Sequence, residues 1–592
     1  MDNRQNLIIA VILSAAILFG WEFFVEMPRM QHQRELAAQQ QTAVAPPSTP
    51  AAAPSPAAVA AKPLSRDEAL AKSPRIKIQS SRITGSIALI GGRIDDVDLV
   101  NYRDTIDPDS PEVQLLTPSG TENAYFADFG WVAKSDEKIA VPGPDTLWKA
   151  DHDTLTPDQP VTLSWDNGQG LVFSRTIALD QNFMFTVTQG VENHGANPVT
   201  LSPYARVLRS GTPKTLGYSI LYEGPIGYLD GNLYSNPWFA GDRHVGYKDL
   251  QEKQQVQVET SGGWLGFTDK YWLAAVVPDP SVKAHARFKY WSDAGVDSYQ
   301  TDFLGDAQSI ASGDKGEYAS RLFSGAKEVR LLDHYSSAEK IERLDLAVDF
   351  GLFYFLTKPF FYILNYLHDW LGNFGLAIMA LTIIIKLLFL PLANRSYRAM
   401  GKMRALQPEM LKLRERFADD RQRLNQEMME LYKREKVNPA AGCLPIFIQI
   451  PVFFSLYKVL FVTIEMRHAP FYGWIKDLSA PDPTDVLNLF GLIPWDPAHF
   501  HLTLLNHEFS LPALLLIGAW PMIMGVTMFL QQRMNPPPPD PVQARIFMFL
   551  PLVFTFMLAR FPAGLVIYWA WNNILSVAQQ WFIMRQAEKH KG

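Results

Sequence analysis

At 592 residues, with 47% hydrophobic residues and a net charge of -6, the chain is too long for one compact core, and its charge is too mild to point to a nucleic-acid partner. Its one cysteine, Cys443, excludes an internal disulfide framework and a cysteine-based metal cluster. No Gly-x-x-x-x-Gly-Lys, HExxH or GxSxG pattern occurs, so nothing marks a nucleotide-driven motor and no cofactor is expected.

In chain order, Leu7 to Val25 is apolar except for Ser14 and Glu22, long enough to cross a bilayer, which takes about 20 such residues. A cleaved signal peptide is the alternative. The apolar run continues through Trp21 and Phe23-Phe24 with no small-x-small site close behind, which favours an uncleaved anchor over residues 1–27 with its N-terminus in the cytoplasm. Residues 28–74, with their Ala/Pro/Gln/Ser-rich stretch "AAQQQTAVAPPSTPAAAPSPAAVAAKP", cannot build a core and read as a flexible, partly extended tether.

Between 75 and 340 the apolar period becomes two. In "VTLSWDNGQGLVF" Val161, Leu163 and Trp165 alternate with polar residues, and Asn167-Gly168 predicts a tight turn before Leu171 and Phe173. Many short strands punctuated by Gly, Asn and Pro predict a large antiparallel sandwich. No spacing of its carboxylates and histidines reads as an active site.

After Leu344 the chain turns membrane-like. Two apolar stretches, 351–372 and 374–394, follow one another across Gly372-Asn373, too short a hairpin for two crossings. The segment 395–436 carries twelve Lys/Arg against seven Asp/Glu and belongs in the cytoplasm. One crossing must then separate it from an outer β-domain, so 345–372 is expected to lie along the outer interface as an amphipathic helix and 374–394 to cross. Further crossings are expected at Cys443–Ile464, Leu511–Leu530, Ile546–Leu558 and Gly564–Met584, which makes five helices over 373–585. The loop 464–510, with two Lys/Arg and six Asp/Glu, suits the outside. The loop 531–545 and the short basic tail 586–592 suit the inside. Within 395–436, Met403, Leu406, Met410, Leu413 and Phe417 recur at steps of three and four, as do Leu424, Met428 and Leu431. Two antiparallel helices are predicted, with Asp419-Asp420 at the start of the second.

Lys386 stands in the apolar run "LTIIIKLLFL". A lysine near mid-helix costs about 2.5–3.5 kcal/mol on insertion scales; snorkelling to the inner headgroups is the bland alternative. Gln449 falls about 9 Å from the cytoplasmic side, as Lys386 does. Thr382 is one turn from Lys386, and Asn573 and Ser576 lie roughly 16 and 12 Å from the inner end of the last span. Polar groups at shared depth on several helices predict a wet pocket that opens inward and stops near the midplane. Lys458 and Arg560, near the outer ends, read as snorkelling side chains.

The segments "KMRALQP" (402–408), "DDRQRLNQEMMELYKREKVNPAAGCLPIFIQIPVFFSLY" (419–457), "GVTMFLQQ" (525–532) and "FPAGLVIYW" (561–569) resemble the YidC family of bacterial inner-membrane insertases in its Gram-negative form. The likeness is strong over about 345–585, and the order of anchor, tether, β-domain and five spans extends it along the whole chain. It implies a multi-pass protein with both termini cytoplasmic, a five-helix α-helical transmembrane core with a groove open to cytoplasm and lipid, a cytoplasmic helical hairpin and a periplasmic antiparallel β-super-sandwich. It implies small nascent membrane proteins as clients, inserted alone or with the Sec translocon and often from ribosomes, without nucleotide hydrolysis or covalent chemistry. The family's groove charge, usually arginine, falls on Lys386: the charge is kept and the planar fork is lost. Its polar groove positions match Thr382 and Gln449, with Tyr568 and Trp569 on the last helix; Asn573 and Ser576 complete the expected set. The loop 464–510 is longer than usual. A transporter or channel would want a pathway to both faces, acids in the spans or two similar halves; no Asp or Glu stands deep in the five expected core spans and no repeat occurs, and a flux assay in liposomes separates the readings. A tethered sugar-binding β-domain is a third reading, tested by deleting 75–335.

Overall fold

The computed structural model describes residues 63–134, 137–215, 221–235, 243–417, 420–435, 437, 444–493, 501–504, 507–510, 517–535 and 541–589. The expected anchor at 1–27, the tether as far as residue 62, residues 511–516 of the expected third span and residues 590–592 of the tail lie outside them.

Alternation builds the β-rich part. Leu171–Leu179 buries every second residue and pairs in antiparallel register with Val161–Asp166 on one side and Met184–Asn193 on the other. The turn expected at Asn167-Gly168 sits inside the loop from Asn167 to Gly170, where Gly168 and Gly170 take φ of +68° and +89°, a region open to glycine. Asn167 Oδ1 accepts from the backbone N–H of Gln169 and Leu171 at 2.8 and 3.0 Å, closing the turn. Among the described residues an eleven-stranded and a nine-stranded sheet form. Pairing is antiparallel between their strands except where Arg75–Gln79 meets Thr154–Leu155 in parallel. Phe129, Phe173, Phe185, Trp264, Phe267 and Phe323 fill the space between the sheets and are at most 1% exposed.

Ten helices of the C-terminal half carry the rest of the argument: α1 (Val329–Ser337), α2 (Tyr354–Leu371), α3 (Phe374–Leu388), α4 (Leu390–Ala405), α5 (Gln407–Arg416), α6 (Arg421–Arg434), α7 (Leu444–Val462), α8 (Ala519–Met534), α9 (Pro541–Leu558) and α10 (Ala563–Lys589). In α2 the residues Phe360, Phe361, Leu364 and Leu367 are buried and Phe355, Tyr366 and Trp370 exposed. Gly372, at φ +67°, ends α2, and Asn373 starts α3 by accepting from Leu376 N–H at 3.1 Å.

Two expected helices are broken by prolines. The segment 374–394 is not one straight helix: α3 ends at Leu388 and α4 leaves at 68°. Pro391, in the first turn of α4, has no N–H for Leu387 and its ring crowds that carbonyl, so the ladder breaks there. A second proline, Pro408, opens α5 and splits the predicted first arm of the hairpin at Leu406. The second arm begins as predicted, with Asp420 accepting from Arg423 N–H at 3.0 Å. Among the described residues no single helix is long and apolar enough to cross a membrane; the bent pair α3 and α4 meets that test by length and composition.

One apolar cluster runs without interruption from the sheets through Phe350 and Phe360 into Ile378, Leu456, Leu460, Leu565 and Tyr568 of the helices. Polar contacts rim this joint. Arg467 donates to the carbonyls of Arg103 and Asp104 at 2.6 and 3.2 Å and lies 5.3 Å from the Trp272 ring centre. Lys458 pairs with Asp349 at 2.7 Å, so it is a joint residue rather than a snorkelling one. Glu465 Oε1 accepts from Val329 N–H at 3.3 Å, which supplies α1 with a cap from a distant part of the chain.

Candidate functional site: a polar cavity between helices

Helices α3, α4, α7, α8 and α10 line a half-open cavity of about 270 Å³. Lys386 comes from α3 and Tyr397 from α4. Gln449, Ile450 and Phe453 come from α7 and Met528 and Gln531 from α8; Tyr568, Trp569, Asn572, Asn573 and Ser576 come from α10. The α10 residues share a face because 568, 572 and 576 are spaced by four and 569, 573 and 576 by four and three.

Lys386 Nζ donates to Ser576 Oγ at 2.6 Å. Ser576 in turn donates to Asn572 O at 2.7 Å, so its proton is committed and its lone pairs face the ammonium. Among the described residues no carboxylate lies within ion-pair distance of Lys386. Gln449 Nε2 donates to Tyr568 Oη at 2.6 Å and ties α7 to α10. Asn573 Nδ2 donates to Thr527 Oγ1 of α8 at 3.3 Å. Further along α10, Gln579 reaches Asn394 Oδ1 at 3.2 Å and Gln580 reaches Met534 O at 3.1 Å. The other wall is aromatic: the rings of Phe453 and Trp569 lie 4.6 Å apart. Such a cavity offers a cation, amide and hydroxyl groups, and an apolar flank. Among the described residues no three His, Cys, Asp or Glu side chains gather as a metal site would require.

Six of the seven residues expected from the sequence line this space: Lys386, Gln449, Tyr568, Trp569, Asn573 and Ser576. Thr382 does not. It is 1% exposed and its hydroxyl donates to Ile378 O at 2.7 Å, satisfied by its own helix. One turn back rotates a side chain about 40° around the axis, enough to bury it in the core. The sequence reading missed Asn572 and Tyr397. Asn572 was legible from its four-residue spacing to Tyr568 and Ser576. Tyr397 was not, because a straight 374–394 helix carries it away from the bundle; the bend at Phe389 brings it back.

A family model described as "60Kd inner membrane protein" matches residues 366–590, and one described as "YidC periplasmic domain" matches 75–363. A protein of Methylobacterium radiotolerans named membrane protein insertase YidC is 49% identical over 603 residues, covering 99% of this chain and 95% of its own length. The chain belongs to the YidC family of membrane protein insertases. YidC proteins of Methylorubrum extorquens and Beijerinckia indica are each 50% identical, over 99% of this chain and 96% of theirs. A crystal structure described as an active YidC insertase with its first transmembrane domain resolved has a TM-score of 0.35 at 15% identity, over 86% of this chain and 92% of that one. That likeness is too loose to bear on the argument. In YidC terms the β-rich part is the periplasmic domain and the helical part the inner-membrane domain. The two matches meet inside α2, the helix whose buried face continues the core of both.

Proposed function

We propose that the cavity is the client groove of this YidC chain. A hydrophilic client segment enters it from the cytoplasm, and the apolar neighbour slides sideways between helices into lipid. Burial of the client's own apolar residues drives the step, at about 25 cal/mol per Å², with no nucleotide hydrolysis and no covalent chemistry. In this reading 373–585 crosses the inner membrane five times, through bent α3–α4, α7, α8, α9 and α10. The hairpin within 395–436 and both termini are cytoplasmic, residues 1–27 anchor the chain, 28–74 tether the sandwich 75–340 in the periplasm, and 345–372 lies at the interface. Clients are small nascent membrane proteins, delivered from ribosomes, alone or with the Sec translocon.

One observation carries the proposal: the Lys386 ammonium, held by Ser576, inside a space of about 270 Å³ lined by Asn572, Asn573 and Gln449 and flanked by the rings of Phe453 and Trp569. A lysine retained in an apolar helix at a cost of about 2.5–3.5 kcal/mol needs something to meet, and an acidic or polar client segment supplies it. Crosslinkers at Lys386, Gln449 and Tyr568 should capture a stalled single-span client. Capture only from outward-facing helix positions would refute the groove. In proteoliposomes the same client should insert without solute flux; flux would favour a channel.

A further inference from the structure

The segment after α7 does two things. Its first part caps the bundle. Pro470 O accepts from Asn373 at the start of α3 at 3.3 Å. Leu478 O and Ala480 O accept from Gly564 and Ala563 at the start of α10 at 3.0 and 2.7 Å. Asp482 Oδ2 accepts from Trp520 N–H of α8 at 2.9 Å. The segment is therefore fixed at the level where three helices begin and α7 ends. The same segment and its continuation turn apolar side chains outward. Tyr472, Trp474, Leu489, Phe490, Leu492 and Ile493 are all exposed, Leu492 to 82%.

That exposure is built in. Leu489 and Phe490 both take left-handed φ, +49° and +58°, which non-glycine residues hold only when their surroundings impose it. Here buried Asp485 and Asn488 impose it. Asp485 Oδ1 accepts from Leu487 and Asn488 N–H at 2.7 and 2.9 Å, and Phe490 N–H returns to Asp485 O at 2.8 Å. The Phe471 ring packs 5.2 Å from Tyr472 and against Gly375 at the start of α3.

We infer that Tyr472–Ile493 is a lipid anchor, with its aromatic and aliphatic side chains seated in the outer leaflet of the bilayer around the groove's closed end. This rests on the membrane reading of the helices. Tyr and Trp suit the headgroup boundary and Leu and Ile the acyl edge, and at the level of the helix ends that is the medium an apolar knob meets. Anchored there, the segment holds the outer ends of α3, α8 and α10 while their inner ends admit a client.

The test uses full-length protein in a Cys443→Ser background, with Leu492→Cys carrying an environment-sensitive fluorophore, in phosphatidylcholine/phosphatidylglycerol vesicles containing 5-doxyl phosphatidylcholine. Leu492 is so exposed that the change leaves packing alone. Labels at Met557, on the exposed face of α9, and at Lys315 serve as references. Lys315 starts a strand whose other end, Ala326, adjoins the joint, so it stands about 36 Å away at ~3.3 Å per residue. A blue-shifted Leu492 emission quenched by doxyl lipid and spared by iodide is expected, with the reverse at Lys315. Iodide quenching at Leu492 while Met557 is doxyl-quenched would overturn the anchor alone, and shielding from both quenchers would overturn it in favour of a protein cover. Loss of doxyl quenching at Met557 would overturn the membrane reading beneath it.

Discussion

Lys386 is held by one neutral hydroxyl and keeps donors to spare, as the proposed client-binding charge requires. A fixed carboxylate would have neutralised it. Charge-assisted hydrogen bonds contribute about 1.5–3 kcal/mol, so Lys386→Ala should slow insertion of a client with a charged outer tail between about ten- and a hundredfold. Lys386→Glu should slow it more, and Lys386→Arg should leave it near normal. Insertion rates in proteoliposomes decide, and normal rates for the Glu variant would remove the charge from the mechanism. Ser576→Ala frees the ammonium without deleting it, so its effect should be smaller than that of Lys386→Ala in the same assay.

Prolines and close approaches set the behaviour of single elements. Pro551 sits inside α9 and leaves the Phe547 carbonyl without its helical donor; Gln532 of α8 donates to it instead. That repair, from a neighbouring helix, is how such breaks are tolerated in membrane helices. Gly525 brings α8 and α9 together: a Cβ there would stand 2.1 Å from Thr555 Oγ1. Gly525→Leu should destabilise the protein by about 1–3 kcal/mol through overpacking, read as a lowered unfolding temperature in detergent. The hairpin behaves differently, because no residue of α5 is buried and its arms meet through pairs such as Arg434–Glu409 at 3.0 Å. Deleting 400–433 should impair insertion while the bundle stays folded by thermal melting; undiminished insertion would make the hairpin dispensable.

Across the whole molecule the periplasmic domain is packed onto the helices, and the joint contains a pH-responsive group. Burial pushes the Glu465 carboxyl up from an ordinary 4.5 to about 7, with nearby Glu328 adding to the effect and Arg330 opposing it. Glu465 Oε2 is shut away from solvent without a partner among the described residues. Because the folded value lies above the unfolded one, the stabilisation is complete below about pH 4.5 and is lost as pH rises through about 7. Glu465→Gln should flatten that dependence and raise the unfolding temperature by a few degrees near pH 8. An unchanged profile between about pH 5 and 8 would assign the dependence elsewhere. Lys327, at the same joint, is buried with its ammonium on Thr268 at 2.8 Å, and burial lowers it to about 8. Its contribution has the opposite sign and weakens as pH falls through about 8.

The sequence by itself determined what depends on neighbours along the chain. Period-two alternation over Leu171–Leu179 specified a strand with one buried face. Asp420 marked a helix start, and polar residues at matched depths pointed to Lys386, Gln449, Asn573 and Ser576 of the cavity lining. Tertiary structure alone decided which groups meet. Lys386 and Ser576 are 190 residues apart, Lys458 finds Asp349 across 109, and Thr382 turns into the core while Lys386 faces the cavity. The bend at Phe389 is the clearest case. Pro391 announces a break, but the direction in which α4 leaves, and so the arrival of Tyr397 beside Ser576, is fixed by packing against α10. Periodicity reports which side of an element is apolar; what that side faces depends on how the elements are arranged in space, and local pattern carries no information about that.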